Sequence, residues 1–125
     1  MIKLKVLIVE DEMIIAWDLK RIIEHLEHEV LSIASSAEVA VDLAKTNGPD
    51  LILMDISLRG TRTGIDAAKE IRGFSQVPIF FLTGNSHLLG DPAILASRTQ
   101  GMYAKPPSES QLREMLEIAR VAGGH

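Results

Sequence analysis

Leu51-Ile52-Leu53-Met54-Asp55-Ile56-Ser57-Leu58-Arg59-Gly60 places one ionisable group at the end of an apolar run. The four apolar residues between Asp50 and Asp55 predict a strand buried on both faces, as parallel strands in α/β layers are. Asp55 then stands at the carboxyl end of that strand, and ligands of open α/β sheets bind in the crevice beyond such ends. Taken alone, an Asp there reads equally as a turn residue or a helix cap. Its role has to come from the rest of the chain.

Working outward, Lys3 to Val9 predicts a first strand, ended by Glu10-Asp11-Glu12. Met13 to Leu26 predicts a helix with Ile14, Ile15, Trp17, Leu19, Ile22, Ile23 and Leu26 as its apolar stripe. Glu29 to Ala34 reads as strand two. Ser35 with Glu38 reads as a capping box opening a helix from Ala37 to Thr46, and Asn47-Gly48-Pro49 closes it. After Asp55, Gly60 and Gly64 bracket a polar loop before a short helix from Ile65 to Arg72. Val77 to Leu82 is strand four, with Pro78 near its start. Thr83-Gly84-Asn85 opens an irregular, mobile loop. The next helix begins near Pro92, with Asp91 as its cap. Gly101 to Ala104 gives strand five, Ser108 with Gln111 caps the last helix, and Gly123-Gly124-His125 is a frayed tail. Strands alternating with helices five times predict a doubly wound five-stranded parallel sheet, order 2-1-3-4-5, with right-handed crossovers.

The whole chain bounds these readings. Its 125 residues suit one domain, 1–125, with a single core. Charged residues at 24% and hydrophobic ones at 46% are the balance of a soluble globular protein. The net charge of −4 and the lack of a Lys/Arg cluster argue against direct nucleic-acid binding. No cysteine is present, so thiolate metal sites and disulfides are excluded. No apolar stretch approaches about 18 residues and no signal peptide is visible, so no membrane association and a cytoplasmic location are expected.

In the predicted strand order, Glu10 and Asp11 end strand one, Asp55 ends strand three, Thr83 ends strand four and Lys105 ends strand five. Strands one and three flank the switch point, so three carboxylates converge in one crevice. They repel unless a cation lies between them, and oxygen-only ligands of this kind suit Mg²⁺. Lys105 and Thr83 add a point charge and a hydroxyl donor beside Asp55, which a phosphoryl group attached there would need. Carboxylate nucleophile, divalent cation, ammonium and hydroxyl are the parts of phosphoryl transfer.

With these residues in view, the chain resembles the receiver domain of two-component response regulators almost end to end. The matching motifs are Val9-Glu10-Asp11-Glu12, Pro49-Asp50-Leu51-Ile52-Leu53-Met54-Asp55, Leu82-Thr83-Gly84 and Ala104-Lys105-Pro106. The resemblance implies a flavodoxin-like fold in which Asp55 accepts a phosphoryl group from a phosphohistidine. The donor would be a sensor histidine kinase or a histidine phosphotransfer protein. It also implies Mg²⁺ held by Glu10, Asp11, Asp55 and the Ser57 backbone carbonyl, Lys105 paired with the phosphoryl oxygens, and Thr83 reporting their presence. The domain would catalyse its own phosphorylation and dephosphorylation rather than turn over a substrate. A downstream protein target, or a phosphorelay, would supply the output. Ser57 and Asn85, each two residues past a site residue, would meet water attacking the acyl phosphate and set its lifetime.

One position departs from the family. Receivers usually carry Tyr or Phe three residues before the lysine, and here that residue is Met102. Tyr103 is next to it but faces the other side of a strand. The run Pro78-Ile79-Phe80-Phe81-Leu82-Thr83-Gly84-Asn85 is similar to the Pro-Phe-x-Phe-Ala-Thr-Gly-Tyr motif of a receiver subclass that lacks this aromatic and is often free-standing, with Leu82 and Asn85 as differences. Phosphorylation is therefore expected to act by reordering Gly84 to Asp91. A flavin site is disfavoured, because Glu10-Asp11-Glu12 would repel the flavin phosphate. A haloacid-dehalogenase-type hydrolase needs an Asp where Ser57 stands. A receiver-like docking module that signals without phosphate remains the alternative. Of the histidines, His25 and His28 read as charges favourable to a helix C-terminus, and His87 as a solvated loop residue. Trp17 and the methionines read as packing.

Overall fold

The computed structural model describes residues 2–95 and 99–124. Strands β1 (Lys5–Val9), β2 (Glu29–Ala34), β3 (Leu51–Asp55), β4 (Ile79–Thr83) and β5 (Gly101–Ala104) form one parallel sheet in the order β2-β1-β3-β4-β5. The helices are α1 (Met13–His25), α2 (Ala37–Asn47), α3 (Gly64–Arg72), α4 (Pro92–Leu95) and α5 (Glu109–Ala122). The expected doubly wound sheet and its strand order are both present. Among the described residues no helix is long and apolar enough to cross a membrane.

The period-two alternation of each strand divides the core into two layers. Leu7, Val9, Ile52, Met54, Ile79 and Phe81 pack against α2 and α3, while Val6, Ile8, Leu51, Leu53, Phe80 and Leu82 pack against α1 and α5. β3 is buried along its whole length, as a central parallel strand has to be. β5 is fastened to β4 at both ends. Gln100 donates its N–H to the Ile79 carbonyl and accepts the Ile79 N–H on Oε1 at 2.7 Å, and Lys105 donates its N–H to the Thr83 carbonyl. The buried Arg72 guanidinium donates to the same Gln100 amide and to the Ser75 carbonyl.

Several boundaries differ from the sequence reading. The α2 cap is Ser36, whose hydroxyl accepts from Val39 N–H, not Ser35. Ser36 is the residue with extended backbone immediately before the helix, and that backbone, rather than Glu38, selects the cap. Gly48 closes α2 in the left-handed region at φ +56°, as expected. β4 starts at Ile79, because Pro78 has no N–H to give the ladder, and runs on to Thr83. The loop after Thr83 is partly regular, with Asn85 Oδ1 capping a 3-10 turn at Ser86–Leu88. On α1, Ile14 (82% exposed) and Trp17 (61%) lie outside the buried face formed by Ala16, Leu19 and Ile23, so they are surface and not core. His125 lies outside the described residues.

The loop after Asp55 returns through a reciprocal cap. Thr63 Oγ1 accepts from Asp66 N–H, and Asp66 accepts from Thr63 N–H. This seats Gly64 against β3, where its N–H donates to the Ile56 carbonyl at 3.0 Å. A Cβ at Gly64 would be driven into the Asp55 carbonyl oxygen and against Met54. At the far end of the sheet, Glu27 takes φ +71° and turns His28 back, so that His28 Nδ1 accepts the Leu4 N–H at 3.0 Å. His28 is therefore a neutral acceptor and not a charge on the helix dipole. Burial lowers its pKa below the ordinary histidine value.

Gly64→Ala is expected to lose about 1–3 kcal/mol or more of stability in denaturant unfolding, because the clash is with backbone that has no room to yield. His28 has a folded pKa below its unfolded value, so its contribution is present above about pH 6.5 and is lost as pH falls through that value toward the folded pKa. His28→Asn, which can accept the same N–H without titrating, should show a smaller drop in Tm between pH 7.5 and pH 5.5 than the parent.

Candidate active site

β1 and β3 are neighbours in register, Val9 opposite Met54, so the residues that follow them emerge side by side. Glu10 carries the ladder one step further by donating its N–H to the Ala34 carbonyl, which fixes it at the rim of the sheet, 1% exposed. Asp55 is 2% exposed. Oxygens of Glu10, Asp11 and Asp55 lie within 4.8 Å of one another. These three carboxylates could hold a metal ion, and an all-oxygen set of this kind fits a hard divalent cation such as Mg²⁺.

Lys105 reaches across from the end of β5. Its Nζ lies 3.0 Å from Glu10 Oε1 and 3.3 Å from Asp55 Oδ2. Each of the three carboxylates also accepts a backbone N–H that sets its orientation. Asp55 Oδ1 accepts the Ser57 N–H at 3.0 Å, Glu10 Oε2 accepts the Glu12 N–H, and Asp11 Oδ2 accepts the Arg59 N–H at 3.0 Å. Burial pushes the Glu10 carboxyl up to about 7, against the opposing pull of Lys105 and the Glu12 N–H. Burial also disfavours the Lys105 ammonium, but Glu10 and Asp55 outweigh it and hold the lysine above its ordinary value. Lys105 therefore stays charged.

Thr83 is buried at the end of β4, next to β3, and its hydroxyl is turned onto Asn85. Oγ1 accepts the Asn85 N–H at 3.0 Å and donates to the Asn85 carbonyl at 3.4 Å. Of the residues singled out in the sequence, Glu10, Asp11, Asp55 and Lys105 meet directly, and Ser57 joins them through its backbone. Thr83 sits one strand over and is engaged elsewhere. His87 is exposed. Met102 packs in the α2–α3 layer. Tyr103 packs on the α5 side, its ring 5.9 Å from that of Phe80 and its hydroxyl donating to Glu114 at 2.8 Å. The two residues face opposite sides, as the strand geometry requires.

Sequence reasoning missed three features. Gly64 is a contact of the Asp55 backbone, and Thr63-x-x-Asp66 was the signal that could have placed it. Arg59 Nε lies 3.4 Å from Asp11 Oδ2. An open apolar depression of about 700 Å³ adjoins the acidic pocket, bounded by Glu12, Ile14, Trp17, Gly84, Lys105 and Pro106. Lys105 belongs to both.

Comparison with known proteins identifies the family. Residues 6–117 match the family model described as the response regulator receiver domain. The transcriptional regulatory protein PdtaR of Mycobacterium tuberculosis is 36% identical over 118 residues, covering 92% of this chain and 56% of that protein. The phyllosphere-induced regulator PhyR of Methylorubrum extorquens is 39% identical over 80 residues, covering 63% of this chain and 30% of that protein. The chain thus spans about half or less of the length of these relatives. The receiver domain of the sensor histidine kinase PA1611 from Pseudomonas aeruginosa, solved with a magnesium ion coordinated in its active-site cleft, superposes with a TM-score of 0.81 at 29% identity, covering 94% of this chain and 97% of that one. With its sheet order, its acidic pocket and these matches, the chain belongs to the response regulator receiver domain family of two-component signalling.

Proposed function

We propose that residues 1–125 act as one cytoplasmic receiver unit in which Asp55 takes a phosphoryl group from a phosphohistidine on a sensor histidine kinase or histidine phosphotransfer protein. An Asp55 oxygen attacks phosphorus, the bond to the imidazole nitrogen breaks, and an acyl phosphate remains. The observation that carries this reading is the Lys105 ammonium, 3.0 Å from Glu10 and 3.3 Å from Asp55 in a pocket of three carboxylates. Lys105 would pair with the phosphoryl oxygens. Glu10, Asp11, Asp55 and the Ser57 backbone carbonyl would hold a Mg²⁺ ion, which when bound supplies positive charge to those oxygens. The unit promotes its own phosphorylation and hydrolysis by positioning, and it signals by protein contact or by passing the group on.

The switch runs through Thr83. A phosphoryl oxygen on Asp55 competes for the Thr83 hydroxyl proton that now goes to the Asn85 carbonyl. Asn85 caps the turn at Ser86–Leu88, so losing that bond loosens the segment from Gly84 to Asp91. Met102 offers no ring to follow the threonine, which leaves the loop as the route.

A second reading, a docking module that signals without phosphate, draws on the exposed Met13, Ile14 and Trp17 beside the pocket. The same surface suits approach of a phosphohistidine-bearing partner, so chemistry at Asp55 has to separate the two. With acetyl phosphate and Mg²⁺, intact-mass analysis should show one added phosphoryl group on the parent and none on Asp55→Asn. Ser57→Ala should keep the added mass and change only its rate of decay. No added mass on the parent would favour the docking module. Hydrogen exchange should rise across 84–91 in the phosphorylated form, and equal exchange in the two forms would end the proposed switch.

A further inference from the structure

Asp11 has its own counter-charge. Its Oδ2 accepts the Arg59 backbone N–H at 3.0 Å and lies 3.4 Å from Arg59 Nε, while Lys105 serves Glu10 and Asp55. The Asp11 side chain is 9% exposed and the Arg59 side chain 81%. So exposed a guanidinium adds little to stability as an ion pair. Its charge nevertheless falls on a carboxylate oxygen proposed to hold a divalent cation. A double positive charge sharing that oxygen with a guanidinium is repelled by it, by an amount worth up to roughly tenfold in affinity even at the dielectric of water.

Resting on the metal assignment proposed for Glu10, Asp11 and Asp55, we infer that Arg59 is a positioning residue that tunes metal affinity by competing with the divalent cation for Asp11. Its backbone N–H holds the carboxylate in place, and its guanidinium sets how tightly that carboxylate can take a cation. Lys105 faces Glu10 and Asp55, so the Arg59 guanidinium is the positive side chain that faces Asp11. Arg59 therefore weakens cation binding at Asp11, with or without a phosphoryl group on Asp55. The side chain can act in this way because Arg59 lies in the polar loop that leaves Asp55, next to the pocket but outside the core.

The test is metal titration of the full chain with MgCl₂ at low ionic strength and again in about 0.5 M KCl, where the screening length falls to a few ångströms. The dissociation constant is read from the amide shifts of Asp11 and Ser57. Arg59→Ala is expected to bind Mg²⁺ about 3–10-fold more tightly than the parent at low salt, with the gap narrowing in high salt. Arg59→Lys, which keeps the charge, should stay within about twofold of the parent. Arg59→Ala binding with equal or weaker affinity at low salt would overturn the inference and leave the metal assignment standing. No Mg²⁺ binding by either protein would overturn both.

Discussion

Glu10, Asp11 and Asp55 have oxygens within 4.8 Å of one another at the rim of the sheet, and charges at that spacing repel by roughly 3 kcal/mol per pair at the effective dielectric of a protein. The sheet can hold them there because Lys105 arrives from the end of β5 and bonds to two of them, while backbone N–H groups of Glu12, Ser57 and Arg59 fix their directions. This balance ties together parts of the chain that are remote in sequence. The turn after β1 supplies two carboxylates, the last residue of β3 the third, and the residue after β5 the ammonium, so the pocket exists only once the strands are in order.

The same constraint accounts for the division of labour around the pocket. Asp55 and Glu10 are almost wholly buried, which raises the value of every donor aimed at them. Thr83, one strand away, is the only one of the five side chains first picked out whose polar atom is committed to a loop rather than to the pocket. It therefore ties the end of β4, beside Asp55 on β3, to the loop residue Asn85. Tyr103, held on the opposite side of β5 by Phe80 and Glu114, is removed from that connection.

Much of this was legible from the chain alone, because five short apolar runs separated by amphipathic segments leave little choice of topology. The residues after those runs then fall at one end of the sheet. What escaped depended on distances the sequence does not encode. Ser35 and Ser36 stand in tandem, and only the backbone at Ser36 decides which one caps α2. The apolar residues of α1 form a wider stripe than the sheet and α5 can cover, so Ile14 and Trp17 spill onto the surface. Arg59 is one charge in a polar loop, and nothing in its spacing pairs it with Asp11. Gly64 reads as a loop residue until the Asp55 carbonyl is seen behind it.

The double fastening of β5 has a mechanical corollary. An edge strand that slid along its neighbour by the two residues that preserve its facing pattern would lose the bond from Ile79 N–H to the Gln100 side chain, which marks this register. The border strand is thus held at both corners by contacts separate from the turn at Ser86–Leu88.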